Sequence, residues 1–106
     1  MPLTRDFKQT VQARIARDPA YGRELLREGV ECLLAGDLDT GKSILRDYIN
    51  ATLGFEELGE LTGKSSKSLM RMLGPSGNPQ AQNLFDVILQ LQRAEHLRFK
   101  VLLKSA

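Results

Sequence analysis

The spacing of its apolar residues constrains this chain most. As far as Leu91 they recur every three or four positions, a pattern that can be buried only as a succession of amphipathic helices. Leu3, Phe7, Val11 and Ile15 form a narrow stripe on a first helix that Thr4 can cap. Asp18 followed by Pro19 pairs a capping side chain with a proline at the first helical position. Tyr21, Leu25, Leu26, Val30, Leu33 and Leu34 then share a face until Gly36. Asp39 is the expected cap of a third helix, whose Ile44, Leu45, Tyr48, Ile49 and Leu53 fall on one side as far as Gly54. Two short helices are expected next, Phe55 to Thr62 and Ser65 or Ser66 to Leu73, parted by Gly63. After the breakers Gly74, Pro75, Gly77, Asn78 and Pro79, a last helix carries Leu84, Phe85, Val87, Ile88 and Leu91 inward. At His96 the period changes. Leu97, Phe99, Val101 and Leu103 alternate with His96, Arg98 and Lys100, which predicts a half-buried strand.

The fold class expected is therefore all-α with a short C-terminal β-strand. At 106 residues the chain is one domain. Within it, residues 1–36 form a helical extension, 39–95 the body and 96–103 the strand. Fifteen Lys and Arg against 13 Asp and Glu leave a net charge of +2, too little for a global field to define a partner. One cysteine, Cys32, excludes an internal disulfide and paired-cysteine metal sites, and the longest apolar run, Cys32 to Ala35, is far short of a membrane span. A cytoplasmic protein without membrane contact, metal or cofactor is expected.

Gly36 to Ser43 satisfies the spacing G-x-x-x-x-G-K-[ST] of phosphate-cradling loops. That chemistry needs a strand before the loop and a parallel sheet to hold it. Here a helical pattern precedes it, and Asp37 and Asp39 would oppose the phosphate charge, so the segment reads as an interhelical turn. Cys32 beside Leu33 reads as a buried inert thiol, His96 as a strand start, and Glu56 and Glu57 as acids favouring a helix N-terminus. No catalytic constellation emerges, and the chain is not expected to be an enzyme.

Phe55 to Leu73 is more specific. Two short helices packed at a steep angle need an apolar anchor, supplied by Leu58, a small residue at the contact, Gly59, and a turn glycine, Gly63. Leu69 and Met72 then face inward, leaving Ser66, Lys67, Met70 and Arg71 outward. From Leu61 through Phe85 the chain holds Lys64, Lys67 and Arg71 but no Asp or Glu. Two helices around a glycine also occur in proteins that bind no DNA, where a charged outer face is ordinary solvation. The joint occurrence of contact glycine, turn glycine, serine-rich cap and acid-free stretch favours the DNA reading.

These residues resemble a known family. Gly54 through Leu73, with Ser68-Leu-Met-Arg-Met-Leu73, Gly77-Asn78-Pro79 and an alternating C-terminus, is similar to the Cro/repressor-type (Xre-like) helix-turn-helix regulators, and within them to the addiction-module antidote, or antitoxin, branch. The resemblance covers about Leu25 to Leu103. It implies a lambda-repressor-like helix-turn-helix bundle and a transcriptional regulator, often an antitoxin that represses its own operon and neutralises a small toxin protein. Double-stranded DNA is then the partner, and Lys64, Ser65, Ser66, Lys67, Ser68, Met70 and Arg71, with Asn78 and Gln80 beyond them, are the expected DNA-binding residues. The chain departs from the family at Phe55, where a phosphate-gripping glutamine is frequent, and at Lys64, where an apolar residue is common. A lone strand has no partner within the chain, so a homodimer through Leu97, Phe99, Val101 and Leu103 is expected. The alternative is a helical protein-interaction module whose basic helix binds an acidic protein and never DNA.

Overall fold

The computed structural model describes residues 5–106, with side chains described from Thr10 onward. Leu3, Thr4 and the side chain of Phe7 lie outside the described residues. Six helices follow in order: α1 Arg5–Arg17, α2 Pro19–Leu34, α3 Leu38–Ala51, α4 Gly54–Thr62, α5 Ser66–Met72 and α6 Ala81–Ala94. The fold is all-helical among the described residues, with Cα extents of 40 × 31 × 29 Å.

Local chemistry accounts for most boundaries. Asp18 accepts from the Ala20 amide at 3.2 Å with Pro19 in the first turn. The cap of α3 is Asp37, not the expected Asp39. Its carboxylate accepts from the Thr40 amide at 3.3 Å, while Asp39 sits inside the first turn. Gly63 ends α4 at φ 71°, a left-handed position that costs a side-chain-bearing residue energy.

α2 and α3 form the most extensive helix pair, α1 packs on both, and α4 contacts α3, α5 and α6. Leu26 of α2, Leu45, Tyr48 and Ile49 of α3, Phe55 and Leu58 of α4, Leu69 and Leu73 at α5, and Val87 and Leu91 of α6 make one core. Two expected inward residues point out. Leu34 is 72% exposed because Leu33 takes the inward place against Gly41. Phe85 is 61% exposed because Val87, Ile88 and Leu91 define the buried face of α6, and Phe85 lies off it.

The expected C-terminal strand is absent from the described residues. His96 is not a strand start but the left-handed residue (φ 55°) that closes α6. Its amide donates to Arg93 O at 3.2 Å, and that of Leu97 donates to Gln92 O at 3.0 Å. Beyond it, Phe99 packs against the core and its amide donates to Gln92 Oε1 at 2.8 Å. Val101, Leu102 and Leu103 are all exposed, Leu103 to 98%. The alternating pattern forms no ladder because the described residues offer no second strand to pair with.

Candidate nucleic-acid interface

The turn between α4 and α5 is tight. A methyl group on Gly59 would lie 2.5 Å from Lys64 O and 3.5 Å from Ser66 N, so the absence of a side chain lets the turn close over α4. The Lys64 amide donates to Gly59 O at 3.1 Å, and Ser65 Oγ caps α5 by accepting from the Ser68 amide at 3.0 Å. Leu69 is wholly buried and Met72 partly so, which turns Lys67, Ser68, Met70 and Arg71 outward.

After α5 the chain folds back on itself. A side chain at Gly77 would overlap the carbonyls of Arg71 and Met72, so the loop can lie against the end of α5 only with glycine there. This return creates an open groove of about 820 Å³ between the α4–α5 turn, the outer side of α5, the loop and the first turn of α6. Of the nine expected residues, Lys64, Ser65, Ser68, Arg71, Asn78 and Gln80 line it. Ser66, Lys67 and Met70 do not. Lys67 is exposed and sits four positions before Arg71, hence on the same side of α5 beside the groove rim, while Ser66 is half-buried and Met70 is exposed further round.

The lining carries two cations, Lys64 and Arg71, and no carboxylate, together with the hydroxyls of Ser65, Ser68 and Ser76 and the amides of Asn78, Gln80 and Asn83. Such a wall offers donors and positive charge without acidic repulsion, which suits a polyanion with hydrogen-bonding edges. Ser76 and Asn83 were not singled out by sequence. Asn83 is three residues after Gln80 in the first turn of α6, so the helical period alone would have added it. Phe55 is buried in the core.

Elsewhere, burial first, then the Asp37, Glu28 and Glu31 carboxylates, push the Cys32 thiol above its ordinary pKa, which disfavours the reactive thiolate. Lys42 of the phosphate-loop spacing lies inside an α-helix and is buried, so the spacing carries no nucleotide loop. No group of three or more His, Cys, Asp or Glu placed to hold a metal ion occurs among the described residues. None of their helices is long and apolar enough to cross a membrane. Comparison with the models of known protein families, with curated proteins and with solved structures finds no match to this chain.

Proposed function

We propose that the protein is a sequence-specific, double-stranded DNA-binding transcriptional regulator in which α4 and α5 act as a helix-turn-helix and α5 enters the major groove. The observation that carries this reading is the acid-free groove, where Lys64, Arg71 and six hydroxyl or amide side chains meet along the exposed side of α5. That chemistry supports a binding role. Lys67 and Arg71, four residues apart, are the side chains best placed to reach bases or phosphates.

In this reading the regulator works as a homodimer. A two-fold axis would present two copies of α5 to half-sites about 34 Å apart on one side of a duplex. The exposed apolar side chains of Val101 to Leu103 are the surface such a second copy would cover. The resemblance adds a small toxin as a protein partner and autoregulation of a toxin–antitoxin operon as the setting.

The test is binding to random duplex DNA across a salt series, followed by selection of a preferred site. Affinity should fall with salt by a log–log slope of about −0.9 per phosphate contacted. Replacing Lys67 or Arg71 with alanine should either flatten that slope by roughly one or relax base preference by about 1–3 kcal/mol. No binding at low salt, with capture of an acidic protein instead, would establish the interaction-module alternative. Undiminished binding by a folded Lys67→Ala, Arg71→Ala double variant would refute the assignment of α5. Removing residues 100–106 should turn a dimer into a monomer by mass in solution, and a truncated chain that stays dimeric would place the interface elsewhere.

A further inference from the structure

Lys42 is the one buried charged side chain among the described residues, 5% exposed, yet it faces no buried carboxylate. Its Nζ donates to two main-chain carbonyls far along the chain, Gly77 O at 2.6 Å and Gly74 O at 3.1 Å. The carboxylate of Asp39, itself exposed, stands 4.0 Å away. One turn further along α3, Arg46 donates from Nη1 to Leu73 O at 2.6 Å. Two cations of α3 thus hold the carbonyls at the end of α5 and in the loop that follows. A helix C-terminus presents unsatisfied carbonyls and partial negative charge, so both interactions suit the site. The loop so held supplies Ser76, Gly77, Asn78, Pro79 and Gln80 to the groove wall.

We propose that Lys42 is a positioning residue of the DNA-binding groove: from inside the fold it fixes the Gly74–Gln80 loop against α5, and with it the placement of Asn78, Gln80 and the first turn of α6 toward the nucleic acid. The inference rests on the reading of the groove as the DNA surface. Lys42 itself does not reach phosphate, since the side chain is buried and its ammonium is engaged by the two carbonyls. The loop lies against the end of α5 at Gly77, where only glycine fits, and its backbone bonds, Gly74 N to Arg71 O at 3.1 Å, Gly77 N to Gly74 O at 3.0 Å and Leu84 N to Gln80 O at 3.0 Å, join it to α5, to itself and to α6 but not to α3. That tie is the ammonium.

The test is Lys42→Met, which keeps the unbranched apolar stem as far as Cε and removes the donors. Helical content should persist, and amide resonances of residues 74–80 should shift without DNA present. Affinity for random duplex DNA should fall about tenfold, roughly the worth of one charge-assisted hydrogen bond, with the salt slope unchanged. A merely structural lysine would lower the melting temperature while leaving the loop resonances and the affinity of the folded protein as they were, and that result overturns the proposal. A slope reduced by about one overturns it too, because Lys42 would then contact phosphate. If wild-type protein binds no duplex, the DNA reading fails, and the loop resonances report separately whether Lys42 holds the loop. Should the variant not fold, ammonium resonances in the wild type decide the clamp: slow proton exchange with coupling to the Gly77 carbonyl supports it, and a freely rotating ammonium refutes it.

Discussion

Two glycines buried in helices provide a matched pair for testing the α4–α5 turn. Converting either to alanine gains about 1 kcal/mol of helix propensity, so the difference between them isolates what the new methyl meets. At Gly59 it meets Lys64 O at 2.5 Å, about 1 Å inside the optimal separation of non-bonded atoms, roughly 3.5 Å. That oxygen is backbone, in a turn pinned by the Lys64 N to Gly59 O bond at 3.1 Å, so relief requires the whole turn to lift. At Gly22 the methyl meets Ile15 Cγ2 at 3.1 Å, a side-chain carbon on α1 that can give by a few tenths of an ångström. Overpacking costs about 1–3 kcal/mol, and an overlap of this depth with backbone belongs to the upper part of that range, about 2–3 kcal/mol, which leaves Gly59→Ala destabilised by about 1–2 kcal/mol after the propensity gain. Gly22→Ala should lie between neutral and about 1 kcal/mol more stable. Urea denaturation followed by helical circular dichroism measures both, and at about 4–8 °C per kcal/mol the melting temperatures should differ by roughly 10 °C. A Gly59→Ala protein as stable as Gly22→Ala would refute the close approach, and with it the register of the two short helices.

His96 occupies a left-handed conformation that costs most residues about 1–2 kcal/mol, so His96→Gly should raise stability by about 1 kcal/mol in thermal melts, and a loss would mean that the imidazole has a role the cap does not explain. Tyr48 is 1% exposed; burial, then its hydroxyl's contact with the Glu95 carboxylate, push its pKa well above the ordinary value. A phenol raised in the folded state leaves stability intact below the unfolded value of about 10 and erodes it above, because only the unfolded chain ionises there. In a Tyr21→Phe background the phenolate absorbance should therefore appear together with loss of helical signal at alkaline pH, and an ordinary titration in the folded protein would contradict the burial.

What could be read in advance was local. Gly63, Ser65 and Asp18 act within two to four residues of themselves, and the acid-free run was visible because charge sign is written in the residue type. The failures are of two kinds. Asp37 and Asp39 are chemically identical caps two residues apart, and only the path of the preceding turn selects Asp37. His96 alternates correctly for a strand, but the sign of its φ is a backbone property set by how α6 ends, and a strand exists only where another strand lies beside it.

The Gly41-Lys42-Ser43 run shows why a spacing alone cannot name a ligand. A lysine after a glycine serves phosphate when the loop ahead of it presents backbone amides to open space and a sheet fixes the geometry. Here the same pair lies on a helix. Gly41 allows close approach to α2, since a side chain on it would meet Leu33 Cδ2 at 2.6 Å and Gly29 O at 3.1 Å, and Lys42 points the other way, toward the end of α5. The ammonium still finds oxygens, but they are carbonyls 32 and 35 residues away, with which no sequence pattern pairs it. The groove's shape is thereby decided by a residue outside the groove, on the helix whose core face holds Leu45, Tyr48 and Ile49. Substitutions along α3 should thus divide by direction: those at Leu45 or Ile49 lower the stability of the whole fold, while those at Lys42 and Arg46 act first on the loop between α5 and α6.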